Sequence, residues 1–153
     1  MNNWTKEFND IIRYVFFSDA ELKRLMKLPE NTTIMNFIDN YFIRGGASGK
    51  LLTNQSVRIV YGTVNPQQTT VPNVTRNTLS FDIYVRHEDM HNVSNDRLEM
   101  RTCAIADRIK LLLTHHRYIT PLYRFWYTGE QDLSTSTVGY SRYCVTFDYM
   151  RVV

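Results

Sequence analysis

The sequence is sparing with the residues that staple or punctuate small folds: two cysteines, four prolines and six glycines in 153 positions. Cys103 and Cys144 stand far apart and fit no metal-ligand spacing, so neither a disulfide framework nor a zinc knuckle is expected. Both thiols are expected to be reduced and buried as small hydrophobes, in a reducing cytoplasm. No run of 18 apolar residues occurs, so no transmembrane helix and no membrane partner are expected. The opening MNNWTKEFNDII has acidic residues where a secretory signal needs cations and an apolar stretch, and it does not read as one. Without a signal, the glycosylation matches at Asn3, Asn31, Asn54, Asn73 and Asn92 are by-products of an Asn-, Ser- and Thr-rich chain. Lysine is scarce as well, with five against thirteen arginines. The net charge of +3 is too small to mark a dedicated nucleic-acid binder.

What the chain has is aromatic and apolar bulk. Hydrophobic residues make up 43% and aromatics 13%, a composition that demands burial and excludes general disorder. The length fits one domain spanning 1–153, large enough to bury a core without staples. Arginine suits fixed contacts at interfaces better than lysine does, so the Arg-for-Lys bias points to protein surfaces as partners.

Hydrophobic periodicity divides the chain into a helical part, 1–44, and a ββαββ core, 57–153. Phe8, Ile11, Ile12, Val15 and Phe16 share one stripe of a helix over Thr5–Phe17. Ser18-Asp19-Ala20-Glu21 reads as a capping box opening a second helix with Leu22, Leu25 and Met26, which stops before Pro29. A third helix from about Thr33 carries Ile34, Phe37, Ile38, Tyr41 and Phe42, and Gly45-Gly46 is expected to end it. From Val57 the period becomes two. Strands are expected from Val57 to Tyr61, from Leu79 to Arg86, from Leu122 to Thr128 and from Tyr140 to Val153. A helix from Asp96 to Thr114 buries Leu98, Thr102, Ile105, Ile109, Leu112 and Leu113, with Asp96 and Glu99 favouring its positive end. Polar loops are expected at 65–77, 87–95 and 129–139. The fold class is α+β: N-terminal helices, then a four-stranded mixed or antiparallel sheet with one long helix packed on it.

Three stretches spell chemistry and withhold its context. His87-Glu88-Asp89-Met90-His91 is a literal HExxH, whose zinc chemistry requires His87 and His91 on one helical face with Glu88 as base. Here it sits between a strand and the weak helix formers Asn92-Val93-Ser94-Asn95, with no third ligand in a defensible place. Gly45-Gly46-Ala47-Ser48-Gly49-Lys50 evokes a phosphate loop. It lacks the first glycine, where Arg44 stands, and the hydroxyl after the lysine, where Leu51 stands. Cys103, beside Thr102 of a buried stripe, reads as core rather than nucleophile. His115-His116-Arg117 places cations at the negative end of the long helix. No cofactor is expected, and a metallohydrolase is a minor alternative.

Arg58, Arg86, Arg124 and Arg142 fall on expected strands with Tyr84 and Tyr123 beside them. Such a face could stack bases, yet Asp82 and Asp148 interrupt it, and nucleic-acid recognition is a second minor alternative. Strand Leu122-Tyr123-Arg124-Phe125-Trp126-Tyr127 offers large groups to both faces, more than a one-sided core needs, which points to an interface. The uncharged, β-capable residues Gln67, Gln68, Thr69 and Thr70 could add strands to a neighbour. The expected contact set is therefore Gln67, Gln68, Thr69, Thr70, Tyr84, Arg86, Tyr123, Arg124 and Arg142.

Several segments together carry a family resemblance. They are Leu79-Ser80-Phe81-Asp82-Ile83-Tyr84-Val85, the helix Arg101 to Leu113, Phe125 to Gly129, and Gly139-Tyr140-Ser141-Arg142-Tyr143-Cys144-Val145-Thr146-Phe147. With these the chain resembles the tail-terminator, or tail-completion, proteins of tailed bacteriophages. The upstream runs Asn36 to Ile43, Leu51-Leu52-Thr53 and Val57 to Gly62 are similar to head–tail genes of Gram-positive phages. The resemblance implies a non-enzymatic virion protein, assembled in the host cytoplasm, that forms a ring, commonly a hexamer. That ring would cap the tail tube and meet the head connector, with DNA passing through its lumen. Another neck or head-completion protein is the nearest alternative. The family supplies no catalytic or cofactor residues, and the HExxH has no place in its pattern.

Overall fold

The strongest periodic segment forms the centre of the molecule. In a computed structural model, which describes residues 6, 10–45, 55–91, 100–119, 124–133 and 139–152, Leu79, Phe81, Ile83 and Val85 are all fully buried. They lie on β3 (Val74–Arg86), flanked by β2 (Val57–Gln68) and β5 (Tyr140–Val152). β1 (Phe42–Arg44) and β4 (Phe125–Asp132) complete a five-stranded sheet in the order β1-β2-β3-β5-β4. Every pairing is antiparallel except β1 with β2. The class is mixed α+β as expected, with five strands where four were expected.

The additional strand replaces the end of the expected third helix. Helix α2 (Ile34–Asn36) is capped by Thr33, whose Oγ1 accepts from the Asn36 N–H at 3.1 Å, and it widens into a turn over Phe37–Tyr41. Phe42 then leaves the helix and enters the core, with ring centroids 5.1 Å from Phe16, 5.2 Å from Tyr61, 5.6 Å from Phe37 and 5.9 Å from Phe81. Burying this ring among four others outweighs one more helical turn. Gly45 has a different role from the one expected. Its N–H donates to the Tyr61 carbonyl, and a Cβ there would lie 3.2 Å from that oxygen. It permits close approach of two strands rather than stopping a helix.

The polar loop expected at 65–77 is largely strand. β2 and β3 zip as far as Gln68↔Thr75, with an irregularity between Val64 and Gln67 that accommodates Pro66. Only Thr69–Asn73 turns. The Thr69 hydroxyl bonds the Val74 carbonyl at 2.8 Å, and Asn73 takes the left-handed conformation (φ 65°) that Asn tolerates. Similarly, β4 runs to Asp132, shortening the loop expected at 129–139. Residues 122 and 123 of the expected third strand lie outside the described residues.

The helices bury their apolar residues in the cluster on the core face of the sheet. Ile11, Val15 and Phe16 do so from the first helical segment, whose described turn is Ile12–Phe16; Phe8 lies outside the described residues. Helix α1 (Ala20–Leu25) contributes Leu22 and Leu25. Its N-cap is Asp19, which accepts from the Leu22 N–H at 2.8 Å, rather than the expected Ser18, which bonds back to the Tyr14 and Val15 carbonyls. It ends in a Schellman turn: Lys27 (φ 54°) donates to the Arg24 carbonyl and Leu28 to that of Lys23. Helix α3 (Arg101–His115) buries Thr102, Ile105, Ile109, Leu112 and Leu113, as its stripe implies. The expected start at Asp96, with Leu98 and Glu99, lies outside the described residues.

Arg101 ties these parts together. Its buried guanidinium donates to the Asp89 carbonyl and to the Leu25 carbonyl, both at 2.7 Å, while Met90 O accepts the Arg101 N–H. The Asp89 carboxylate takes Lys27 and Arg86, each at 2.9 Å. One knot thus joins the C-terminus of α1, the end of β3 and the start of α3. Replacing Arg101 by Leu strands two buried carbonyls and is expected to cost about 2–4 kcal/mol, read as a lower midpoint in urea unfolding.

Candidate interface surfaces

The sheet has one face under the helices and a second face of alternate residues. On that second face Tyr84 and Arg142 are paired across β3 and β5, with the guanidinium 5.6 Å from the Tyr84 ring centre. Arg142 also meets Asp82 at 3.1 Å. Asp148 accepts from the Arg76 Nε at 2.6 Å and from the Thr78 hydroxyl at 2.9 Å. The arginines here are thus countered by carboxylates on neighbouring strands, a pattern suited to a polar protein surface rather than a phosphate track. Arg58 is almost entirely buried, and burial lowers its pKa. Cys144 belongs to this face. Both cysteines are half-buried rather than buried, and neither forms a disulfide. Burial, reinforced by Asp82, pushes the Cys144 thiol up to about 11, so it is an inert thiol at neutral pH.

The expected contact residues separate. Tyr84 and Arg142 come together, while Arg86 lies at the end of β3 and is engaged by Asp89 and Glu88. Arg124 is exposed and stacks over Trp126 at 5.5 Å. Gln67 and Gln68 are on β2 itself, and Thr69 and Thr70 form the turn after it. Tyr123 lies outside the described residues. His87–Asp89 form a single 3-10 turn with His87, Glu88 and His91 exposed, so no α-helix presents both imidazoles on one face. Glu88 meets Arg86 at 2.7 Å, and Asp89 belongs to the Arg101 knot. Among the described residues no cluster of three or more His, Cys, Asp or Glu forms a metal-binding group. No described helix is long and apolar enough to cross a membrane.

The edge strand β4 carries the surplus aromatics. Trp126 is 40% and Tyr127 45% exposed, on opposite faces of the strand, and an irregularity separates Tyr127 from Gly129. Beyond it Glu130 gathers a network that sequence patterns do not reveal. Lys110 of α3 donates to its carboxylate at 2.8 Å, Tyr127 donates at 2.6 Å, and the Tyr143 hydroxyl donates to the other oxygen. The Lys110 ammonium also sits 4.9 Å from the Tyr127 ring centre. The hydrogen bond from Lys110, then those from Tyr127 and Tyr143, hold Glu130 down at about 2. Although burial opposes its charge, Lys110 is raised by the same contact and by Asp107. The edge strand is thereby clamped to the helix behind it. A second clamp joins α1 to α3, where Arg108 grips Asp19 at 2.5 and 2.8 Å.

No protein-family model matches the chain, and no curated protein matches it.

Because the folded Glu130 carboxyl is depressed below its unfolded value, its contribution is full above pH ~4.5 and is lost as pH falls towards 2. Glu130→Gln is expected to lower stability at pH 7 and to flatten the dependence between pH 4.5 and 2. Paired urea titrations of the two proteins across that range measure it.

Proposed function

We propose that this chain is a non-catalytic structural subunit that assembles into a ring at the end of a bacteriophage tail tube, at the head–tail junction. There it would terminate the tail tube and join it to the head connector in the virion. The observation that carries the assembly reading is a sheet whose two terminal strands, β1 and β4, each lack a neighbour on one side among the described residues. A terminal strand beside half-exposed aromatics is costly to leave open, and a ring covers both edges of every subunit at once. The aromatic and arginine surplus supports the same reading, since much of it lies on β4 and on the second face rather than in the core. The place in the virion rests on the sequence resemblance. The internally neutralised second face favours protein partners over DNA, so any DNA in the lumen would be passed rather than gripped.

Light scattering of the purified protein, alone and with tail tubes, followed by negative-stain imaging, tests the proposal. A discrete ring, seated at tube ends when tubes are present, is the expected result. A protein that stays monomeric in both conditions contradicts it.

A further inference from the structure

The two open edges of the sheet are different, and the register between them can be followed residue by residue. Arg44 on β1 pairs with Tyr61, Tyr61 with Phe81, Phe81 with Val145, and Val145 with Glu130 on β4. These five residues form one row across the sheet, and directly paired residues place their side chains on the same face. The two ends of that row carry opposite charges. Arg44 is exposed and has no ion-pair partner among the described residues, and Glu130 is a carboxylate at neutral pH.

Strand direction and hydrogen-bond phase agree with this row. β1 and β2 run one way, β3 the other, β5 with β2, and β4 against β5. If a second copy continues the sheet in the same orientation, its β1 meets β4 antiparallel, the geometry that pairs most readily. The Leu133 N–H donates to the Arg142 carbonyl, so backbone groups of Leu133 and Gln131 point inward and those of Asp132 and Glu130 point outward. The Gly45 N–H donates to the Tyr61 carbonyl, so Gly45 and Ile43 point toward β2 and Arg44 and Phe42 point outward. An unsheared junction therefore sets Arg44 against Glu130 as a hydrogen-bonded pair, with Phe42, whose N–H already donates to the Phe37 carbonyl, two residues further along.

We infer that a second copy of this chain docks edge to edge, the β1 of one copy pairing antiparallel with the β4 of the next so that Arg44 lies opposite Glu130. This rests on the ring reading above and supplies its subunit contact. The junction joins unlike edges, so it repeats head to tail and closes or extends instead of stopping at a dimer. β2 beyond Gly62 is a poorer acceptor for β4, because Pro66 removes a donor and the strand is irregular there.

Oxidative cross-linking of the full-length double variant Arg44→Cys/Glu130→Cys tests it. Within one chain the two positions are four strand spacings apart, ~19 Å, too far for an internal disulfide, which spans at most ~7 Å between Cα atoms. A ladder of covalent multimers beyond dimer, absent from each single variant, is expected. Since Glu130→Cys also loosens the β4 clamp, Arg44→Glu provides a second reading: its exposed site spares the fold, and the subunit dissociation constant should rise at least tenfold. Assembled rings with no specific ladder and no weakening by Arg44→Glu would overturn the edge pairing while leaving ring assembly intact. Covalent dimers from Glu130→Cys alone would assign β4 to pairing with itself and overturn it as well. A wild-type chain that is monomeric throughout would remove both.

Discussion

The burial of Phe42 is the constraint from which the rest of the architecture follows. Four aromatic rings surround it, and reaching them requires the chain to abandon a helix after Tyr41 and lie against β2. That move creates a parallel edge strand three residues long. It shields Ile59–Tyr61 near the start of β2 and moves the edge there to a segment that ends in an exposed arginine. Without it the sheet would present β2 itself, long and with a proline at its irregularity. One packed ring thus decides which backbone groups a neighbour would meet.

The opposite edge is fixed by polar forces instead. β4 has little apolar burial beyond Phe125, so it relies on the Glu130 network to hold it against α3. Arg101 at the start of the helix and Arg108, two residues before Lys110, perform the comparable task, binding the end of β3 and α1 to it. Such hydrogen-bonded ionic groups are worth less than equivalent apolar packing, but they are strongly orienting. A helix clamped at its first residue and again at Arg108 and Lys110 gives the sheet a rigid back. A rigid back in turn lets two distant edges keep a common register, which any head-to-tail assembly requires.

Much of this was legible from residues alone where one periodicity ruled. Leu79, Phe81, Ile83 and Val85, the α3 stripe, and the run Val145, Phe147 and Tyr149 all sit where alternation or helical spacing puts them. β4 overlaps the expected third strand from Phe125 to Thr128 and extends later than its apolar residues suggest. β1 was not recognised, because three residues have no period and Phe42 satisfies the helical spacing equally well. The arms around 65–77 looked like loop for a related reason: polar residues become strand there only because β3 and β5 supply partners. The surface was less legible than the core. Tyr84 and Arg142 are adjacent across β3 and β5, but Glu130 draws its partners from three elements and Arg101 from two, the end of α1 and the turn after β3, and no local spacing encodes such meetings.

The small net charge acquires a meaning once the pairs are located. Arginines are matched by carboxylates on adjacent strands across the second face, around Asp89, and between α1 and α3. A chain built in this way spends much of its charge on orientation, while Arg44, at one edge, has no ion-pair partner among the described residues. Amide hydrogen exchange on dilute and concentrated protein tests the central claim most directly. The claim predicts that the outward-pointing amides of Glu130 on β4 and of Arg44 on β1 become protected together as concentration rises. Rapid exchange of these amides at every concentration, with the inward-pointing ones protected throughout, would contradict it.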